Sequence, residues 1–62
     1  MNRATFLKEV NRAAMAVGAS VAFAGRDQLH IRKGDVLKQF KVDYRRLESL
    51  NRVVTDPILQ EK

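Results

Sequence analysis

Gln28-Leu29-His30-Ile31-Arg32-Lys33-Gly34-Asp35-Val36-Leu37-Lys38-Gln39-Phe40-Lys41-Val42 holds two alternating runs on either side of a Gly-Asp pair. Gly-Asp is a favoured hairpin connection, because glycine supplies the positive φ at the first position of a type II′ turn. A loop of those two residues pairs Lys33 with Val36 and Leu29 with Phe40, and brings Asp27 towards Val42. On the opposite face His30 meets Gln39, Gln28 meets Lys41, and Arg32 meets Leu37. A loop one residue longer would set Phe40 against Gln28, apolar against polar, because strand side chains alternate with a period of two. The shorter loop sorts the two faces, apart from Lys38 on the core side and Leu37 outside. Lys38 is expected near a sheet edge, its stem on apolar surface and its ammonium in water.

The same residues admit a rival. Leu37, Phe40, Tyr44, Leu47, Leu50 and Val54 also recur at helical spacing, and Asp35 would cap one long helix from Val36 to Val54. Val36, Phe40, Val42 and Tyr44 prefer strands, and Val42 would point off the apolar face of such a helix. The hairpin is therefore the preferred reading.

Upstream, Phe6, Val10, Ala13 or Ala14, and Val17 recur every third or fourth residue, with Leu7 widening the face. This spacing predicts a helix over Ala4–Val17. Asn2 or Thr5 would cap its start, and Gly18 would stop it. Arg3 is poorly placed there, because the N-terminal end of the helix dipole repels a cation. Arg3, Lys8, Glu9, Asn11 and Arg12 are left for solvent. Ser20 to Ala24 is a short strand with Val21 and Phe23 on one face and small residues on the other. Gly25-Arg26-Asp27 is a turn that pairs Phe23 with Leu29 and Val21 with Ile31.

Downstream, Asp43 is expected to cap a second helix from Tyr44 to Val53 or Val54, with Tyr44, Leu47, Leu50 or Asn51, and Val54 inward. Arg45, Arg46, Glu48, Ser49 and Arg52 would face outward, with Arg45–Glu48 and Glu48–Arg52 as intrahelical pairs. Asp56-Pro57 would open one further turn carrying Ile58 and Leu59, and Gln60 to Lys62 would fray. The expected fold is α+β: an N-terminal helix, a small antiparallel β-meander of two or three strands, and a C-terminal helix.

The chain has 62 residues and no cysteine, so it forms one small domain over residues 1–62 with no disulfide brace. A domain of this size buries only about 60% of its unfolded surface, which makes dimerisation an expected source of stability. Lack of cysteine suits a reducing compartment, and a cytoplasmic location is expected. Ala13 to Ala24 also invites comparison with a signal peptide, having basic residues before it and Ala22-Phe23-Ala24 at its end. Glu9 in the basic region, and Gly18 and Ser20 in the run, oppose that reading. No apolar run approaches the roughly 20 residues a membrane helix needs.

The net charge is +5 and the pI about 10.3, a balance that attracts polyanions. Arg26, Arg32, Lys33, Lys38 and Lys41 decorate the expected hairpin, while Arg45, Arg46 and Arg52 decorate the second helix. With His30 they form the candidate nucleic-acid-binding set. A two-stranded ribbon enters the major groove of DNA and helix residues clamp adjacent phosphates. Base stacking has less support, because Phe23 and Phe40 are expected inward and Tyr44 partly inward.

His30, the sole histidine, lies beside Gln28, Arg32, Gln39 and Lys41 on the outer face. Histidine transfers protons near neutral pH, and Arg32 or Lys41 would stabilise phosphate charge. The layout of helix, three strands and helix, with a histidine on the middle strand, is similar to HicA-type toxins and to double-stranded RNA-binding domains. HicA-type sequences usually show Gly-Ser-His-His or a close variant. The matching stretch here is Gly25-Arg26-Asp27-Gln28-Leu29-His30-Ile31, with one histidine and no serine. That resemblance implies a ribonuclease using His30.

No nucleophile–base–orienter set is visible. Asp27 and Asp43 would approach across the hairpin end, but turn and cap roles explain both. Gly18, Gly25 and Gly34 are spaced for chain reversals rather than for a phosphate loop. Neither metal nor cofactor is expected. The leading expectation is a small, non-enzymatic, nucleic-acid-binding regulator, dimeric and without a membrane partner. The alternative is a protein-interaction module, such as an inhibitor, adaptor or assembly subunit, using the small-residue strand face or an exposed Ile58-Leu59 anchor.

Overall fold

The computed structural model describes residues 1–60. In chain order the elements are α1 (Arg3–Ala16), β1 (Ser20–Phe23), β2 (Gln28–Lys33), β3 (Val36–Lys41), α2 (Leu47–Val54) and α3 (Pro57–Gln60). The strands form one antiparallel meander in the order β1-β2-β3. The expected α+β architecture is the one observed, and the long-helix rival is excluded because Val36–Lys41 is a strand.

The hairpin register is the expected one throughout, with Leu29 opposite Phe40, His30 opposite Gln39, Arg32 opposite Leu37 and Lys33 opposite Val36. Gly34 has φ +62° and Asp35 lies outside the positive-φ region, as a type II′ turn requires. The β1–β2 pairing sets Val21 against Ile31 and Phe23 against Leu29. Ala24 N–H donates to the Gln28 carbonyl at 2.9 Å, closing the Gly25–Asp27 turn. Val42 N–H donates to the Asp27 carbonyl at 2.7 Å, which extends the β2–β3 pairing beyond the assigned strands.

The helices cover one face of the sheet. Phe6, Val10 and Ala14 of α1 are buried against a core that includes Leu29 and Ile31 of the central strand. Asn2 caps α1, its side-chain oxygen accepting from Thr5 N–H at 2.7 Å. Ala13 to Ala24, the stretch compared with a signal peptide, forms the end of α1, the Gly18 turn and β1; Ala14 and Ala19 are buried in the core. The outer face of the sheet is not covered: Ser20, Ala22, Gln28, Arg32, Leu37, Gln39 and Lys41 are all exposed.

Three expectations about α2 need correction. Asp43 does not cap α2: its Oδ1 accepts from Arg45 N–H at 3.1 Å and its carbonyl accepts from Arg46 N–H at 2.9 Å. The local Asx turn wins over helix initiation, so the helix starts at Leu47, with Arg46 at the N-cap and no side-chain cap. Leu50 is buried and Tyr44 and Val54 pack partly buried against the core, as expected, but Val53 takes the fully buried place and Leu47 is 63% exposed. The pairs expected within the helix are replaced, because Arg45 lies outside it. Arg45 and Arg46 meet Asp43 at 4.0 and 3.4 Å, and Glu48 meets Arg46 at 3.5 Å.

Ile58 and Leu59 are buried in the core rather than exposed as an anchor. Asp56 Oδ1 accepts from Ile58 N–H at 3.0 Å, which starts α3 and turns both side chains inward. Gln60 is the last residue of α3; residues 61–62 of the expected frayed tail lie outside the described residues.

Candidate nucleic-acid interface

Two chain reversals and one helix end meet at one side of the molecule. The β1–β2 turn brings Gly25, Arg26 and Asp27. The end of β3 and its connection to α2 bring Lys41, Asp43, Tyr44, Arg45 and Arg46. The first turns of α2 add Glu48, Ser49 and Arg52. Together with Arg3 they line an open groove of about 1000 Å³.

The groove is electropositive. Six cationic side chains, Arg3, Arg26, Lys41, Arg45, Arg46 and Arg52, stand against the carboxylates of Asp27, Asp43 and Glu48. Asp43 and Glu48 are engaged with Arg45 and Arg46. Arg26, Lys41 and Arg52 have no carboxylate partner among the described residues. A concave, uncompensated cluster of this kind raises the local concentration of anions.

Of the expected binding residues, Arg26, Lys41, Arg45, Arg46 and Arg52 come together here. His30 and Arg32 lie instead on the outer face of the sheet, on the same side as Lys41 by strand alternation. Arg32 Nε donates to the Gly34 carbonyl at 3.3 Å, which folds its side chain back towards the hairpin turn. Lys33 is half-buried at the end of β2. Lys38 does not join the cluster: its ammonium holds both oxygens of Asp56 at 2.8 Å and sits 5.5 Å from the Phe40 ring centroid.

Arg3 is the groove cation that sequence reasoning missed. Its guanidinium donates to the Gly25 carbonyl at 3.0 Å and lies 4.4 Å from the Phe23 ring centroid. Those contacts offset its unfavourable place at the start of α1 and tie α1 to the β1–β2 turn. The signal was available: a cation at a helix N-terminus calls for a partner elsewhere.

His30 stands between Ala22 and Gln39 in register. Its Nε2 is enclosed and has no hydrogen-bond partner. Among the described residues no cluster of three or more His, Asp or Glu side chains has the arrangement of a metal site. No described helix is long and apolar enough to cross a membrane.

The fold and groove define a small α+β protein with a basic cleft at one end of a three-stranded meander. Comparison with protein-family models, with curated proteins and with solved structures returns no match.

Proposed function

We propose that this protein binds nucleic acid through the groove between the β1–β2 turn and α2, without catalysing a reaction on it. The observation that carries the reading is the convergence of Arg26, Lys41 and Arg52, none paired with a carboxylate among the described residues, on one concave surface. Arg45 and Arg46 extend the surface along the chain entering α2. Phosphates are the ligand chemistry that such guanidinium and ammonium groups favour. The enclosure of His30 Nε2 lends no support to proton transfer at that residue, so the ribonuclease reading ranks below simple binding. A regulatory role and a cytoplasmic location belong to the same proposal, as does self-association of this small, unbraced domain.

Binding to DNA and RNA oligonucleotides, measured by fluorescence anisotropy across a salt series, tests the proposal. Affinity should fall steeply as salt rises, because each neutralised phosphate releases counterions. Exchanging Arg26, Lys41 and Arg52 for glutamate should abolish binding while leaving the circular dichroism spectrum unchanged. No binding at low salt, or affinity indifferent to salt, would sink the proposal.

A further inference from the structure

We infer that the groove takes a single-stranded segment, with one unpaired base stacked on Tyr44. The inference rests on the nucleic-acid-binding reading above and adds the form of nucleic acid that fits.

Tyr44 is an aromatic side chain in the wall of the basic groove. It is half-buried, packed against the core yet open to the cleft. Tyr44 is the aromatic residue of the groove lining, which Phe23 and Phe40 do not join: Phe23 lies under Arg3, and it also meets Phe6 with centroids 6.1 Å apart. Phe40 lies beneath Lys38. The Arg45 guanidinium stands 5.9 Å from the Tyr44 ring centroid. A ring flanked by a guanidinium, with Arg46 next in the chain and unpaired Lys41 in the same groove, combines the two things single strands require. Bases need a planar surface, and the backbone needs cations spaced around it. A duplex hides its base faces inside the stack and offers nothing to such a ring. The Asx turn at Asp43 holds Tyr44 outside α2, with one side of the residue on the core and the other in the groove wall.

The chain has one tyrosine and no tryptophan, which gives the test a readout at the proposed site. Tyrosine emission of the full chain is followed while short oligothymidylate, oligouridylate, a duplex of equal length, or heparin is added. Absorption by the bases is corrected with N-acetyltyrosinamide. Quenching by both single strands, with little change on heparin, is the expected result. The tighter of the two distinguishes DNA from RNA as the preferred source of the strand. Tyr44→Leu should weaken single-strand binding about tenfold, within what stacking of one base contributes, and leave heparin binding unchanged. Tyr44→Phe should retain the affinity. Should Tyr44→Leu fail to fold, quenching of the wild-type protein decides the question. Single-strand binding without quenching, a Tyr44→Leu protein that binds as wild type does, or duplex bound as tightly as single strand would overturn the inference while leaving nucleic-acid binding intact. Failure to bind heparin and every nucleic acid would remove the broader proposal as well.

Discussion

Lys38 stands on the core side of the sheet, where alternation calls for an apolar residue. Its place is made tolerable by β3 being an edge strand, from which the ammonium reaches Asp56 at 2.8 Å. The Asp56 side chain is 15% exposed and that of Lys38 45%. Burial raises the Asp56 pKa, but the bonds donated by Lys38 and by Ile58 N–H outweigh it, and the carboxyl lies below its ordinary value. A carboxylate whose folded pKa is depressed contributes its stability above the ordinary pKa and loses it as pH falls through the folded one. Wild-type stability should therefore decline below about pH 4, and Asp56→Asn should remove part of that decline. At neutral pH the same change should cost about 1 kcal/mol, at the upper end for a partly exposed pair. Urea denaturation across pH checks both statements.

The hairpin was legible as an element because its two tests agree. Gly34 meets the backbone requirement of the turn, and the resulting register keeps Leu29, Ile31 and Phe40 on one face. A Cβ at Gly34 would meet nothing within 4 Å, so the demand there is on φ alone. Gly34→Ala should destabilise the protein by about 1 kcal/mol or more through backbone strain, with the slope of the urea transition unchanged. α2 was less legible, because Asp43 suits both an Asx turn and a helix cap. Propensity does not separate the two. Burial does: starting at Leu47 turns Leu50 and Val53 towards the core, both buried there. α1 departs from its expected bounds by one residue at each end, since Asn2 and Gly18 mark it on both sides.

Across the whole molecule, the buried hydrophobic core is shared by α1, all of the central strand's inward residues but one, and the two short C-terminal helices. On the order of 0.05–0.15 kcal/mol per residue, a chain of this length is marginal alone. Self-association, part of the proposed function, would offset that. β3 is an edge strand whose Val36 and Leu37 are 57% and 61% exposed, which gives a second copy an open strand to meet. The melting temperature should then rise with protein concentration, as mass action requires of a dimer. A midpoint constant over a hundredfold dilution series would show a monomer.

The sequence by itself determined the first helix, its stop at Gly18 and the register that the Gly34-Asp35 turn imposes, while the choice between a third strand and one long helix over Val36–Val54 was settled by the structure. The first three follow from alternation, helical spacing and glycine's backbone freedom, all of them local. It also determined that the surface would be basic. Only the tertiary structure decided which cations act together. Arg3, Arg26 and Arg52 are far apart in the chain and meet because two turns and a helix end close on one groove. Lys38 reads like its basic neighbours in sequence, yet Asp56, 18 residues away, removes it from that cluster. Charge is a property of composition, whereas its compensation depends on distance in space. Distances between remote side chains exist only once the core has formed.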